Sequence, residues 1–397
     1  MTSRITTAVI CLSFALSACE GDAGSARDAD AEPDGEDAPL DAADAVDAVD
    51  EPAADTVDDT IEDVPGEDTA DDAVDVAEDA GDDAVEPPRV VSCADPPPPG
   101  ADLPAPLPVY AGDCPTLEPG RNTITSSGSE RSFLLVLPAD HDPSEPLPVV
   151  FLWHWLGGDA EDFLDKGEVQ AAADEMRFIA VAPDSKDDVV AKWPFLLLDS
   201  APRLEEEAVF FDDMLACVAD QLAVNASCVS TVGVSAGALW TSQLSQLRSE
   251  RLASFMSLSG GVGTPGDLVN PVHPWNGAAH AMPALVLWGG PTDFCGVTFS
   301  TTSHNLENGL TAGGHFILEC VHNCAHAQPP MDPPAGESAF AALWTFVLDH
   351  PYWLRDGESP YQATGLPGVY PEWCAVGAGN ATIRTGECES GPLGDCF

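Results

Sequence analysis

Positive charge is scarce in this 397-residue sequence: 14 Lys and Arg stand against 67 Asp and Glu, a formal net charge of −53. Only three lysines occur, Lys166, Lys186 and Lys192. So acidic a chain repels phosphate backbones, which argues against nucleic acid as a partner. Aromatic residues are absent from Glu20 to Pro88, where 28 Asp and Glu accompany a single base, Arg27. With no apolar surface to bury, nothing offsets the entropy of ordering that stretch. Residues 20–88 therefore read as a disordered acidic linker, kept extended by self-repulsion. Long apolar runs are lacking as well, and no repeat at a fixed period is present.

The one apolar run near the N-terminus, Ala8 to Leu16, follows Arg4 and gives way to small residues. It is shorter than the roughly 18–20 residues a bilayer span requires, so residues 1–19 read as an export signal. Its ending, Leu16-Ser17-Ala18-Cys19, resembles a bacterial lipobox, in which Cys19 is lipidated and becomes the mature N-terminus. Glu20, not an aspartate, follows, so the expected address is an outer-membrane lipoprotein with the linker as its tether. An ordinary signal with an incidental cysteine is the plainer alternative. Beyond signal and linker, removing 28 acids and two bases (Arg4, Arg27) leaves 39 acids and 12 bases, still a net −27.

Two of the twelve cysteines, Cys11 and Cys19, fall in the signal. The other ten form an even set in exported chain, where disulfides persist. Sequence proximity suggests Cys93 with Cys114 and Cys217 with Cys228. A rival reading is zinc on Cys320, His322, Cys324 and His326, but four ligands within seven residues are too cramped to converge without a loop between the pairs. No metal and no organic cofactor is expected.

The folded part follows a Pro-rich entry, Pro96 to Pro99. Ser132–Pro138 reads as a strand, and Pro148–Trp153 as one buried on both faces. A helix is expected over Ala160–Met176, a strand over Phe178–Ala182 and an amphipathic helix over Glu207–Leu222. Strand Cys228–Gly233, helix Ala236–Arg248, and strands Leu252–Ser257, Ala284–Trp288 and Phe316–Val321 come next. Helix Ser338–His350 closes the series. Such alternation implies an α/β domain over 89–350, a mostly parallel sheet with helices on both faces. Residues 351–397, Gly-rich with three cysteines, read as an extension packed on that domain.

Chemistry concentrates at Thr231–Trp240, TVGVSAGALW. Ser235 lies between Gly233 and Gly237, and between a β-branched strand and a helix of small residues. That is the setting of a nucleophile elbow, in which side chains at 233 or 237 would crowd a strained turn. The helix start places the Ala236 N–H toward a developing oxyanion. A serine needs a histidine to take its proton and a carboxylate to orient that histidine. Asp293, just after strand Ala284–Trp288, is the expected acid. His326, on the loop after the last strand, is the expected base, with His322 at the strand exit as the alternative. The second oxyanion donor is expected from Trp155 or Leu156, with His154 bracing their loop. Trp240 and Trp275 are candidates for an acyl or aryl pocket.

On these residues the region from about 132 to 350 resembles the α/β-hydrolase superfamily. Within it the chain is most similar to secreted polyhydroxybutyrate depolymerases and the related feruloyl and acetylxylan esterases. HWLGGDAEDF at 154–163, VAPDS at 181–185, the elbow, WGGPTDF at 288–294 and CVHNCAHAQP at 320–329 carry the likeness. The family usually has His-Gly where this chain has His154-Trp155. The resemblance implies a serine esterase acting on a short hydroxyacyl oligomer or an aromatic acid ester. A serine peptidase of the same superfamily and a non-catalytic surface binding protein are the competing readings.

Overall fold

The computed structural model describes residues 91–333 and 335–388. The expected signal, the acidic linker, Cys11, Cys19 and Cys396 lie outside the described residues. One nine-stranded sheet organises the described residues. Its strands are β1 (Gly120–Ser126), β2 (Ser129–Val136), β3 (Leu147–Trp153), β4 (Ile179–Pro183), β5 (Val224–Val234), β6 (Ser254–Leu258), β7 (Ala284–Trp288), β8 (Ile317–Val321) and β9 (Cys374–Val376). They lie in the order β1-β2-β4-β3-β5-β6-β7-β8-β9. From β4 to β8 the neighbours are parallel, while β1, β2 and β9 add antiparallel edges.

The parallel strands are buried because helices cover both faces. On one face lie α3 (Ala201–Gln221), α4 (Ala236–Leu247) and α5 (Phe299–Ala312), packed on Val149, Phe151, Val229, Phe255 and Val286. On the other lie α1 (Ala160–Lys166), α2 (Val169–Met176) and α6 (Ala341–Leu348), against Val150, Leu152, Ala180, Val232 and Leu285. Successive residues of one strand thus feed opposite cores, which is why these strands read as unbroken apolar runs. A short helix, α7 (Tyr361–Thr364), follows α6.

Strand order reverses between β3 and β5: the chain leaves β3 toward β4 on one side, then returns to β5 on the other. In open α/β sheets the crevice at the carboxyl end of such a reversal is where ligands bind.

Several expectations differ in detail. The single helix over 160–176 is two, because Glu168 adopts a left-handed φ of 49° after Gly167, which no α-helix accommodates. Strand β1, helix α5 and strand β9 were not foreseen. The guessed disulfides are wrong. Cys93 pairs with Cys228, and Cys114 with Cys217, at sequence separations of 135 and 103. The entry segment packs across β5 and α3, so partners distant in sequence meet; Asn225 Nδ2, for example, donates to Cys93 O at 2.8 Å. Cys320–Cys374 and Cys324–Cys388 complete the bridges among the described residues. These take both sulfurs of the considered zinc set out of the thiolate form that zinc needs.

Candidate active site

Three side chains converge at the carboxyl end of the parallel strands. Ser235 Oγ lies 2.8 Å from His326 Nε2, and His326 Nδ1 lies 2.7 Å from Asp293 Oδ1. With Nδ1–H donated to the carboxylate, Nε2 is left to accept the serine proton, which is the tautomer that nucleophile activation requires.

Ser235 links β5 to α4 with φ 55° and ψ −117°, a backbone geometry that L-residues avoid. It is held there from both sides. Its N–H donates to Leu258 O at 2.9 Å, and its carbonyl accepts from Ala238 and Leu239 at 2.9 and 3.0 Å. The bracketing glycines are required by close approach. A Cβ on Gly237 would sit 1.9 Å from Trp153 O, and one on Gly233 2.2 Å from Gly237 O. The elbow therefore presses directly on the end of β3. Such conformations cost on the order of 1–3 kcal/mol and persist only when surrounding structure imposes them.

Asp293 is fully buried. Besides His326, its carboxylate accepts from Ser259 Oγ at 2.8 Å and from Gly289 N–H at 2.7 Å, both on Oδ2. Three hydrogen bonds supply the partners a buried carboxylate needs. The histidine loop lies against the turn that carries Asp293: Ala325 N–H donates to Gly289 O at 3.1 Å, and a Cβ on Gly289 would meet Ala325 O at 1.8 Å. The imidazole of His326 stacks on the Phe299 ring, centroids 4.4 Å apart and planes within 8°. Phe299 begins α5 and donates its N–H to Asp293 O at 3.0 Å, so one residue holds both His326 and Asp293 in place.

The alternative histidine sits differently. His322 is buried, accepts Cys324 N–H on Nδ1 at 3.2 Å, and lies edge-on to Trp373. Burial pushes its pKa down to about 4, so it is neutral at ordinary pH. No hydrogen bond joins it to Ser235 or Asp293 among the described residues.

Trp155 and Leu156 follow β3 on the loop pressed against Gly237. The loop is braced: Trp193 Nε1 donates to His154 O at 2.8 Å, and the His154 ring pairs with Trp155 O at 2.8 Å through Nδ1. Burial lowers the His154 pKa, consistent with a neutral structural ring. Ala236 is the first residue of α4, where an N–H has no carbonyl partner within the helix. The two tryptophans expected to line a pocket do not. Trp240 is wholly buried beneath the elbow, edge-on to Trp153, because the helix start runs straight into the core. Trp275 stacks on Phe255 and lies edge-on to His315, at the amino ends of β6 and β8 and so at the opposite edge of the sheet from Ser235.

Ser259, Phe299 and Trp193 are contributors that sequence reasoning missed. Phe299 begins a helix whose polar sequence hid it, whereas Ser259 and Trp193 lie outside any element and carry no sequence signal.

No family model matches the chain. Feruloyl esterase D of Neurospora crassa is 28% identical over 152 residues, which cover 38% of this chain and 52% of that protein. The chain thus spans about half the length of that relative. Feruloyl esterase C of Emericella nidulans is 29% identical over 258 residues, 60% of this chain and 89% of the relative. Among solved structures, native sOPH superposes with a TM-score of 0.52 at 20% identity, over 68% of this chain and 97% of its own. Native pOPH gives 0.52 at 18%, over 67% and 97%. The reversal of strand order, the strained serine turn and these superpositions together identify the fold as that of an α/β-hydrolase.

Proposed function

We propose that the protein is a carboxylic ester hydrolase acting through an acyl-serine. The observation that carries this reading is the hydrogen-bonded line Ser235–His326–Asp293 on a strained elbow at the sheet's reversal point. In this reading His326 Nε2 takes the Ser235 proton as Oγ attacks the ester carbonyl, and Asp293 stabilises the imidazolium that forms. The Ala236 N–H and one from Trp155 or Leu156 receive the oxyanion. Collapse of the tetrahedral intermediate expels the alcohol, protonated by His326. Water, deprotonated by the same nitrogen, then releases the acid.

The names of the relatives favour an aromatic acid ester over a short hydroxyacyl oligomer. So do exposed apolar side chains on the loops that follow β4, β6 and β7. Leu198, Leu268, Val269 and Phe294 are exposed at 70, 87, 73 and 59%. Their loops are tied together: Leu197 N–H donates to Pro271 O, and Thr298 N–H to Asn270 Oδ1, each at 2.8 Å. Phe294 directly follows Asp293. A non-catalytic binding role gives no reason to hold a serine in so costly a conformation.

Export belongs to the same proposal, on the four disulfides among the described residues and the signal-like N-terminus. Lipidation at Cys19 and tethering by residues 20–88 rest on sequence alone. Mass spectrometry of the mature N-terminus checks them, and an unmodified residue there would refute the anchor.

A fluorophosphonate label tests the reaction class. Labelling should occur at Ser235, and Ser235→Ala should lose both labelling and turnover of p-nitrophenyl acetate. Turnover that survives in the variant would sink the proposal. Comparing methyl ferulate with 3-hydroxybutyrate oligomers then decides the acyl class.

A further inference from the structure

Away from the triad, one cluster of potential metal ligands stands out among the described residues: His304 and Glu307 on α5 and Glu319 on β8. One donor atom from each lies within 4.8 Å of the others. His304 Nδ1 is 2.9 Å from Glu307 Oε2. The i,i+3 spacing puts both on one face of α5, and that face covers the side of the sheet on which Glu319 projects. Glu319 Oε2 accepts the Ala381 N–H at 2.9 Å.

The arrangement is electrostatically incomplete. Both glutamates are buried, the Glu307 side chain only 2% exposed. Glu307 Oε1 is buried without a hydrogen-bond partner. Two carboxyls facing each other in a low-dielectric site disfavour a second negative charge. Burial, and then Glu319, push the Glu307 carboxyl up to about 7. Structural carboxylates that only fold a protein are normally matched by a base or by backbone N–H groups. The chain does this elsewhere, at Glu207 between Arg131 and Arg203. Here the side chain paired with Glu307 is an imidazole, itself half exposed at 52% and seated edge-on against Trp288. A half-exposed ligand over two buried ones gives an ion a route in.

We propose that His304, Glu307 and Glu319 form a binding site for one divalent cation of the zinc type. One imidazole with two carboxylates suits zinc, whereas an all-oxygen set would suit calcium or magnesium. On binding, the cation takes Glu307 Oε1, the oxygen left without a partner, as a ligand. The ion joins α5, whose first residue stacks on His326, to β8, which runs into the histidine loop. Its role is to fix the framework, not to touch substrate.

The test uses tag-free full-length protein, stripped with chelator and titrated calorimetrically with Zn²⁺. One saturable equivalent is expected, with a raised Tm. Glu307→Gln and His304→Ala should each weaken that equivalent at least tenfold. His304 is half exposed, so its loss should leave the fold intact. Failure to saturate one equivalent, or equal affinity in wild type and both variants, would overturn the proposal; the latter would assign the zinc to exposed carboxylates. Wild type that takes up no zinc, with a Glu307→Gln variant of higher Tm, would instead identify a shared proton. None of these readouts depends on esterase activity.

Discussion

Ser235 combines two properties that separate under mutation: its hydroxyl faces a histidine, and its backbone is strained. On the proposed mechanism Ser235→Ala should lower turnover by about 10³-fold or more, with the fold intact, since no other described group lies within reach of His326 Nε2 to form an acyl-enzyme. Ser235→Gly should be equally inactive yet melt at a higher temperature than Ser235→Ala, because glycine adopts φ 55° without a Cβ penalty. A Gly variant no more stable than the Ala variant would mean that the turn stores no strain. His326→Ala should match the serine loss, the members acting as a unit. Asp293→Asn should cost somewhat less, about 10²–10⁴-fold, by disturbing tautomer and orientation. The discriminating comparison is His322→Ala, expected to cost less than about tenfold in kcat because that ring packs and accepts one backbone hydrogen bond. Loss of turnover there with retention in His326→Ala would move the base.

At the scale of elements, the histidine loop is held from outside by the C-terminal segment. Cys324 is bonded to Cys388, Arg384 Nη1 donates to Asn323 Oδ1 at 3.0 Å, and Arg384 N–H donates to Val321 O at 2.9 Å. Removing the bridge by the double change Cys324→Ala with Cys388→Ala should lower stability by about 2–4 kcal/mol. On the proposed mechanism it should also lower kcat several-fold with little change in KM, because His326 loses its support while the loops carrying Leu198 and Val269 are untouched. An unchanged kcat would show that stacking on Phe299 alone suffices. Near the β2 edge of the sheet, Glu207 is buried between Arg131, at 2.6 Å, and Arg203, at 2.8 Å, with Arg131 also over the Phe210 ring. Glu207→Gln leaves a buried guanidinium short of its counter-charge and should cost about 3–5 kcal/mol in denaturant unfolding. Elements were legible where burial on both faces wrote continuous apolar runs, as in β3, β4 and β7, and where two glycines marked the elbow. Strand β1 was not, because only Ile124 among its inward residues is apolar, beside Asn122 and Ser126. Helix α5 hid behind Ser, Thr, Asn and Gly, poor helix formers that tertiary packing of Phe299, Leu306 and Leu310 overrides. Strand β9, three residues long, carries no period at all. Disulfide partners and the burial of Trp240 depend on which elements become neighbours, and sequence spacing does not encode that.

For the molecule as a whole, protonation in acid relieves repulsion among 67 acids and so favours the fold. Most of that relief comes below about pH 4.5, near ordinary carboxyl pKa values. Asp349 is an exception, its carboxyl raised by burial to about 6. Its contribution is present at low pH and lost as pH rises through 6. Two buried histidines act in the opposite sense. Burial depresses His322 and His350 to about 4, against about 6.5 in the unfolded chain. The unfolded state therefore binds more protons between pH 6.5 and 4, and stability falls as pH drops through that window. His350 is the clearer probe. Its ring is fully buried, with Nδ1 2.7 Å from Phe346 O and Nε2 2.7 Å from Ser359 Oγ, a pattern that a neutral ring satisfies by donating from Nδ1 and accepting on Nε2. His350→Gln removes the titrating group but leaves Asp349 and the surface charge in place. Urea unfolding at pH 7, 5.5 and 4 should show wild type more stable than the variant at pH 7. That advantage should shrink by about 3 kcal/mol by pH 4, a displacement of roughly 2.5 pH units at 1.36 kcal/mol each. A difference between the two proteins that stays constant across the three pH values would mean that His350 titrates normally, and the acid sensitivity of the fold would have to come from another group.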